Sequence, residues 1–294
     1  MPLVDAVVVS YRSRDRLRAC VEPLAAIPWV EPIVVDNASD DGSLAAVAGL
    51  RGVFLQLEQN GGFAFGCNAG WRTGSSPFVL LLNPDARIGE SSLRLLVHAL
   101  ERDVSLGAVA PRIVGEDGRL DHSQRRFPRL RSTYAQALFL HRLLPAARWV
   151  DEVVRDQGAY TRSGSPEWVS GACILVRRAV LEQLGGLDEG FFLYCEDTDL
   201  CRRIHGLGLG LRYDPAATAT HAGGASAPRA ELLAVLATSR VRYARIHRGR
   251  AAAALHRVGI ALGAFTHALA SSQGRAIRSG HARALRSALT GSAR

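Results

Sequence analysis

The sequence predicts an α/β fold, a mostly parallel sheet flanked by helices with a C-terminal helical extension. Three observations carry this. Short apolar runs alternate with helical patterns through the first 115 residues. Those runs are continuous rather than alternating, as in strands buried on both faces. Past residue 226 the strand signals stop and an Arg/Ala-rich helical pattern takes over.

The elements read in order as follows. DAVVVS (5–10) is a buried strand, and Arg14–Leu24 a helix. PIVVDNAS (32–39) is a second strand with a polar end, followed by a helix over Ser43–Leu50. VFLQLE (53–58) is a strand and Phe65–Trp71 a helix. PFVLLLNPDA (77–86) is a strand, Ser91–Glu101 a helix and GAVAPRIV (107–114) a strand. Strand–helix alternation at this spacing implies parallel pairing with helices on both faces. Residues 115–166 are irregular apart from a helix over Tyr134–Leu144. WVSGACILVRR (168–178) is a strand, Ala179–Leu184 a helix, and Asp197–His205 a helix stopped by Gly206 and Gly208. LGLRYDP is a further strand, with His221 just past the next one. A boundary near residue 225 divides a catalytic-type domain (1–225, with halves 1–115 and 116–225) from an Arg-rich helical tail (226–294).

Composition bounds the function. The 294 residues are 48% hydrophobic and 21% charged, enough for a sizeable core. The formal net charge is +9, and arginine carries every fixed positive charge because the chain has no lysine. From Arg229 onward twelve arginines face one acid, Glu231, a cationic tail suited to anionic surfaces. The tail has few aromatics among its basic residues, only Tyr243 and Phe265, which argues against a nucleic-acid binder. Five cysteines without zinc-ligand spacing read as reduced thiols in a cytosolic setting. The N-terminus lacks signal-peptide character, and the longest uncharged apolar stretch, Val258–Ser272, is too short to span a bilayer.

In open α/β sheets ligands bind beyond the carboxyl ends of the strands. That rule selects Ser10-Tyr11, Asp36-Asn37 and Asn83-Pro84-Asp85. Asp36 suits a nucleobase N–H or a ribose hydroxyl, although VVDNASDDGS also reads as an ordinary turn. QNGGFAFGCNAG (59–70) opens a helix with glycines that admit a phosphate or ribose, without the Gly-Lys-Ser/Thr of a Walker loop. Asp85, directly after a buried strand, suits a hard divalent cation, and an Asn-Pro-Asp turn is the plain alternative. Glu196, Asp197 and Asp199 open a helix, where acids are favoured anyway; one of them could serve as a general base. Asp199 is the structural member, paired with Arg202 or Arg203. His221 could be a metal ligand, but a lone histidine is more often structural.

As an ordered set these segments resemble the family 2 inverting glycosyltransferases of the GT-A (Rossmann-like) fold, rhamnosyltransferase-like branch. The residues that carry the resemblance are VVVSYRS, VVDNASDDGS, NGGFAFGCNAG, LLLNPDA, DGRLDHSQRRFPRLRS, WVSGACILVRR, GGLDEGFFLYCEDTDLCRRIHGLG and HAGGAS. The resemblance implies that Ser10, Tyr11, Asp36 and Asn37 hold the nucleoside. It implies that Asn60, Gly62, Phe63 and Asn68 line the nucleotide and diphosphate pocket. Asp85 would ligate Mg²⁺ or Mn²⁺, with His221 a further ligand or diphosphate contact. Asp197 would be the general base, with Glu196, Trp168, Ser170 and Gly171 shaping the acceptor site. Many GT-A enzymes have Asp-x-Asp at the metal position. Here Asn83 replaces the first carboxylate, so it would contact donor sugar or ribose, and the cation would be held more weakly.

The implied reaction moves a sugar from a nucleotide diphosphate, dTDP-rhamnose first and a UDP-hexose second, to a glycan or polyprenyl-diphosphate-linked acceptor in cell-envelope polysaccharide synthesis. The tail helix over Ala251–Ser272 reads equally as a packing helix that completes the domain or as an amphipathic helix that would meet the anionic inner face of the plasma membrane, from the cytoplasm. A nucleotidyltransferase would need a glycine-rich loop that residues 10–20 lack.

Overall fold

A computed structural model describes residues 1–144, 147–223, 229–271 and 274–291. The expected boundary near residue 225 therefore lies outside the described residues. The chain divides into two compact units. The first comprises Met1–Arg125, Arg155–Gly190 and Glu196–Ser226; the second comprises Arg126–Val154, Phe191–Cys195 and Ala227–Arg294. This division differs from a simple catalytic-domain-plus-tail reading, because residues 126–154 and 191–195 cluster with the C-terminal helices.

The first unit is built on an eight-stranded sheet. In chain order its elements are β1 (Val4–Ser10), α1 (Arg14–Ala25), β2 (Val30–Asp36), α2 (Ser43–Ala46), β3 (Val53–Gln56), α3 (Phe63–Thr73), β4 (Phe78–Leu82), β5 (Ala86–Ile88), α4 (Glu90–Arg102) and β6 (Leu106–Val114). A two-residue strand, β7 (Gln124–Arg125), follows. In the second unit come α5 (Leu130–Ala137) and α6 (Leu140–Leu143). The first unit resumes with β8 (Trp168–Val169), β9 (Cys173–Arg177), α7 (Arg178–Leu184), α8 (Glu196–Gly206) and β10 (Gly210–His221). The second ends with α9 (Arg229–His247), α10 (Arg250–Ala270) and α11 (Arg275–Thr290).

The main sheet has the order β3-β2-β1-β4-β9-β6-β10-β5. β1, β2, β3 and β4 are mutually parallel, as are β6 and β10. β9 runs antiparallel to both β4 and β6, and β5 is antiparallel to β10. β1 is buried at all seven positions because parallel neighbours flank it and helices cover both faces. Leu17, Cys20, Val21 and Leu24 repeat at helical spacing and bury one side of α1; Leu93, Leu96, Val97 and Leu100 do the same for α4. On α3, glycines take over: a Cβ at Gly66 would lie 2.6 Å from Val9, and one at Gly70 2.4 Å from Val7. Those two positions let the helix that follows the glycine loop lie directly on the sheet.

Several expected elements are shorter or divided. The strand expected over 77–86 ends at Leu82, and β5 forms separately after the Asn-Pro-Asp turn. The strand expected over 168–178 splits into β8, which pairs with β7, and β9 in the main sheet. The helix expected over 134–144 is broken at Phe139, whose φ is 58°. His221 is the last residue of β10 rather than a residue beyond a strand.

One buried ion pair pins the unit's interior. Arg178 donates to Asp5 at 2.5 Å, to the Trp71 carbonyl and to the Ser76 carbonyl, while Asp5 also accepts from the Ser76 amide and hydroxyl. Both partners are buried. Asp5→Ala strands a buried guanidinium, and removing one member of such a pair typically costs about 3–5 kcal/mol. Urea denaturation of the variant is expected to show a loss of that order; a change within about 0.5 kcal/mol would mean that solvent reaches Arg178.

The second unit packs through small side chains. Ala237, Ala264 and Ala284 form one contact layer and Val241, Ala261 and Ala288 another. A Cβ at Gly280 would lie 2.4 Å from the Ala230 carbonyl, so α11 approaches α9 at backbone distance. α10 buries Ala253, His256, Gly259, Ala261 and Ala264. Its opposite side exposes Leu255, Val258, Phe265 and Leu269, again at helical spacing. Among the described residues no helix is long and apolar enough to cross a membrane.

Candidate active site

Parallel pairing of β1 with β2 puts Ser10 opposite Asp36, at the carboxyl ends of both strands. Both residues are buried. Asp36 Oδ2 accepts from the Ser39 amide at 3.1 Å, whereas Asp36 Oδ1 and Ser10 Oγ are buried with no hydrogen-bond partner. Unmade hydrogen bonds at buried polar atoms are costly, so a pair at a sheet edge marks where a polar ligand fits. Tyr11 follows, half-buried, with the Arg12 guanidinium 5.4 Å from its ring centroid. Arg12 and Ala38, just past the two strand ends, have φ of 52° and 59°. Such left-handed non-glycine residues cluster at functional sites.

Asn37 shapes the glycine loop. Its amide nitrogen donates to Asn60 Oδ1 at 2.9 Å and to the Gly62 carbonyl at 3.0 Å, and its oxygen accepts from the Gly61 amide. Asn60 Oδ1 also accepts from the Gly62 amide. Gly62, with φ of 92°, turns the chain into α3, where Phe63 is the first residue. Asn68 needs a correction. Its amide donates to the Leu187 carbonyl and Glu189, and accepts from the Leu187 amide and the Trp71 indole. With its hydrogen-bonding capacity spent on these internal partners, Asn68 ties α3 to the chain after α7 and has nothing left for a nucleotide.

After β4 the chain turns through Asn83-Pro84-Asp85, and antiparallel pairing of β5 with β10 brings His221 beside it. His221 Nε2 lies 3.3 Å from Asp85 Oδ1 and 3.3 Å from Asn83 Nδ2, and His221 Nδ1 lies 3.8 Å from Asp121. Burial disfavours the imidazolium, but the flanking carboxylates of Asp121 and Asp85 outweigh it and push His221 up to about 9. Asp85 responds in the opposite sense. Burial raises its pKa, yet the bond and charge of His221 leave it below the usual carboxylate range. Among the described residues no three His, Cys, Asp or Glu side chains make up a metal cage by themselves.

The acids that open α8 follow Tyr194 and Cys195, two residues with φ of 69° and 66°. Asp197 Oδ2 accepts from the Gly171 amide at 3.0 Å, and Oδ1 accepts from the Thr198 amide and hydroxyl. A Cβ at Gly171 would lie 3.1 Å from Asp197 Cβ, tighter than most real contacts, so glycine permits this approach. Burial raises the Asp197 pKa, against the pull of those three hydrogen bonds. Glu196 is raised well above its ordinary range, by burial and then by the neighbouring Asp197 charge, and its Oε2 is buried without a partner. Both carboxyls of this adjacent pair are therefore raised, burial being the first cause for each. Asp199 binds Arg203 at 2.7 Å, the structural pairing expected of it.

One turn links the two acidic ends. Ala172, adjacent to Gly171, accepts from the Asn83 amide at 3.0 Å. Ser170 donates its amide to the Ser123 carbonyl, and Trp168 pairs with Arg125 across β7 and β8. Residues 168–172 thus touch the segments that carry Asp197, Asn83 and Arg125. Three members of this cluster, Asp121, Ser123 and Arg125, were not singled out from the sequence, although they lie in DGRLDHSQRR. A cleft of about 540 Å³ opens beside Asp85 and is lined otherwise by Arg12–Arg16, Asp40 and Asp41. None of Ser10, Asp36, Asn60 and Gly62 lines it, so the unpartnered buried atoms mark the ligand better than this cleft does.

Comparison with known proteins gives a consistent result. The family described as Glycosyl transferase family 2 matches residues 5–185. The chain is 30% identical over 234 residues to N-acetylglucosaminyl-diphospho-decaprenol L-rhamnosyltransferase of Mycobacterium tuberculosis, covering 74% of this chain and 76% of that protein. It is 26% identical over 232 residues to the rhamnosyltransferase WbbL of Escherichia coli, covering 74% and 83%. In fold it is similar to the mannosyltransferase PcManGT of Pyrobaculum calidifontis, solved with GDP-Man and Mn²⁺ (TM-score 0.60, 17% identity, 98% of this chain and 87% of that one).

Proposed function

This chain belongs to glycosyl transferase family 2, and on that premise we propose that it transfers L-rhamnose from dTDP-rhamnose to a polyprenyl-diphosphate-linked sugar, with inversion. The observation that carries the reading is a pair of polar ends with unsatisfied buried atoms within one unit: Ser10 Oγ and Asp36 Oδ1 at the strand edge, and Glu196 Oε2, next to Asp197, at the start of α8. The names of the two rhamnosyltransferase relatives support the donor sugar, and the mycobacterial relative's name supports the lipid-linked acceptor.

In this reading Ser10 and Asp36 take the polar edge of the base or ribose, with Tyr11 beside them. Asn37 and Asn60 hold the glycine loop so that Gly62 and Phe63 meet the nucleotide at the start of α3, where a helix N-terminus favours a diphosphate. Asn83 lies against the donor sugar. Asp197 accepts the proton of the acceptor hydroxyl as that oxygen attacks the anomeric carbon and the nucleoside diphosphate departs. One displacement inverts the centre and needs one base. Trp168, Ser170, Gly171 and Glu196 shape the acceptor side.

Asp85 and His221 fit a divalent cation that completes its coordination with diphosphate oxygens and water, as Mg²⁺ and Mn²⁺ do. Bound there, the cation would offset the charge that builds on the departing diphosphate. Asn83, being neutral, adds little to that affinity.

A thermal-shift panel of UDP, dTDP and GDP, each with and without Mn²⁺, tests the reading. dTDP with Mn²⁺ is expected to give the largest rise in Tm. A preference for UDP would move the donor to a UDP-hexose, and no response to any nucleotide would remove the transferase reading.

The exposed stripe of Leu255, Val258, Phe265 and Leu269 on α10, in a tail with twelve arginines to one acid, supports docking on an anionic membrane. The full-length protein is expected to co-sediment with phosphatidylglycerol vesicles and not with phosphatidylcholine alone. Val258→Glu with Phe265→Glu, both at exposed positions, should abolish that; unchanged sedimentation would count against docking through this face.

A further inference from the structure

The buried, unpartnered side-chain atoms of the first unit fall mainly into two groups. Ser10 Oγ and Asp36 Oδ1 belong to the nucleoside end. Ser123 Oγ, Arg125 Nε and Glu196 Oε2 form the second group. Neither Ser123 nor Arg125 makes a hydrogen bond to Asp197, whose protein donors are the Gly171 amide and the Thr198 amide and hydroxyl.

Ser123 is 1% exposed. Its amide donates to the Asp121 carbonyl at 2.8 Å and its carbonyl accepts from the Ser170 amide at 3.0 Å. The backbone is fully used in holding the residue beside the turn that carries Gly171, and only the hydroxyl is left over. Gln124 next in line donates to the Ala159 carbonyl, and its amide donates to the Tyr160 hydroxyl, both in the interior. Ser123 and Arg125 flank Gln124 on either side, and neither shares its interior partners.

Arg125 is half-buried, its guanidinium carbon 5.8 Å from the Trp168 ring centroid. Among the described residues its side chain makes no hydrogen bond or ion pair. Its charge nevertheless acts on both nearby carboxyls, helping to lower Asp121 and opposing the burial that raises Asp197. A half-buried guanidinium with an orphaned Nε–H, a buried unpartnered hydroxyl two residues before it, and no contacting counter-charge describe a site built for an anion. The planar fork of arginine matches a phosphoryl group with two parallel hydrogen bonds.

We infer that Ser123 and Arg125 form a subsite for a phosphoryl group of the substrate, the hydroxyl donating one hydrogen bond and the guanidinium supplying the charge. The assignment rests on the transferase reading, in which two ligands present that chemistry: the diphosphate of the donor and the diphosphate of a lipid-linked acceptor.

The test uses the full-length protein and the variants Arg125→Met, Arg125→Lys and Ser123→Ala, with thermal unfolding to verify that each is folded. Calorimetry measures dTDP, UDP, thymidine and inorganic pyrophosphate. Kinetics compare a polyprenyl-diphospho-GlcNAc acceptor with octyl GlcNAc, which has no phosphate. A hydrogen bond to a charged group is worth about 1.5–3 kcal/mol, so Arg125→Met should weaken one diphosphate ligand by roughly 10- to 100-fold. Thymidine affinity and the KM for octyl GlcNAc at saturating donor should be unaffected, and Arg125→Lys should recover part of the loss. A loss confined to dTDP, UDP and pyrophosphate assigns the subsite to the donor; a rise in KM confined to the diphosphate acceptor assigns it to the acceptor. The inference is overturned if Arg125→Met binds all these ligands like wild type, including the case where only its pH–rate profile moves. A wild-type chain that binds nucleotides and transfers sugar while the variants stay normal would sink the subsite alone. One that binds no nucleotide would sink the transferase reading, and pyrophosphate affinity of Arg125→Met against wild type would still decide the subsite.

Discussion

Asp197→Asn is expected to lower the transfer rate by roughly 10²–10⁴-fold, the usual worth of a positioned general base, while dTDP affinity stays within about twofold. The substitution keeps size and hydrogen-bonding shape but removes the basic oxygen. All three protein donors to the carboxylate are N–H or O–H groups: the Gly171 amide at one oxygen, the Thr198 amide and hydroxyl at the other. An amide side chain accepts at one end only, so one set loses its acceptor and stability should fall by about 1–3 kcal/mol without unfolding. The pH profile gives a second measurement. Because burial raises Asp197, the group is protonated and inactive below its raised pKa and basic above it. Wild-type kcat/KM should therefore fall toward acid, with the inflection above the usual aspartate range. Substantial turnover by purified Asp197→Asn, or an activity flat through acid pH, would remove Asp197 from the role of base.

Asp85→Asn is expected to abolish the Mn²⁺-dependent part of the dTDP thermal shift and to lower kcat/KM by about 10²-fold. That factor corresponds to near 2.7 kcal/mol, modest for the loss of an anionic metal ligand. The side chain stands 3.3 Å from His221 Nε2, and its charge is among the causes that raise the His221 pKa. Losing the Asp85 charge removes one of the two carboxylates that push His221 up, so His221 should titrate closer to its ordinary range, which NMR of the ring protons would detect. A variant with unaltered Mn²⁺ response and full activity would mean that the cation, if used, binds elsewhere.

Much of the catalytic unit was legible in the letters. Valine-rich β1 and leucine-rich β4 declare themselves as buried parallel strands because nothing but two covered faces accommodates such runs. Ser10, Asp36 and Asp85 were found because they stand where those runs end. Asp199 was separated from Asp197 by helical spacing to arginine alone, and the pair with Arg203 formed as expected.

Other features depended on contacts across long stretches of chain. Asn68 sits in a glycine-rich loop-to-helix segment that suits a nucleotide, yet Leu187 and Glu189, some 120 positions away, consume its amide. Residues 126–154 read as connecting chain but cluster with the C-terminal helices. Ser123 and Arg125 lie in an irregular stretch with no periodicity to mark them; only the pairing of β7 with β8 shows that one hydroxyl and one guanidinium are left over.

The sequence by itself determined the layered α/β class, the strand ends that carry polar groups and the ordered motifs of the family, since hydrophobic period and local turn chemistry act over a few residues. Tertiary structure alone decided which polar side chains are spent on the scaffold and which remain unsatisfied. That distinction depends on whether a partner, however distant in the chain, arrives within hydrogen-bonding reach, and no local pattern encodes it.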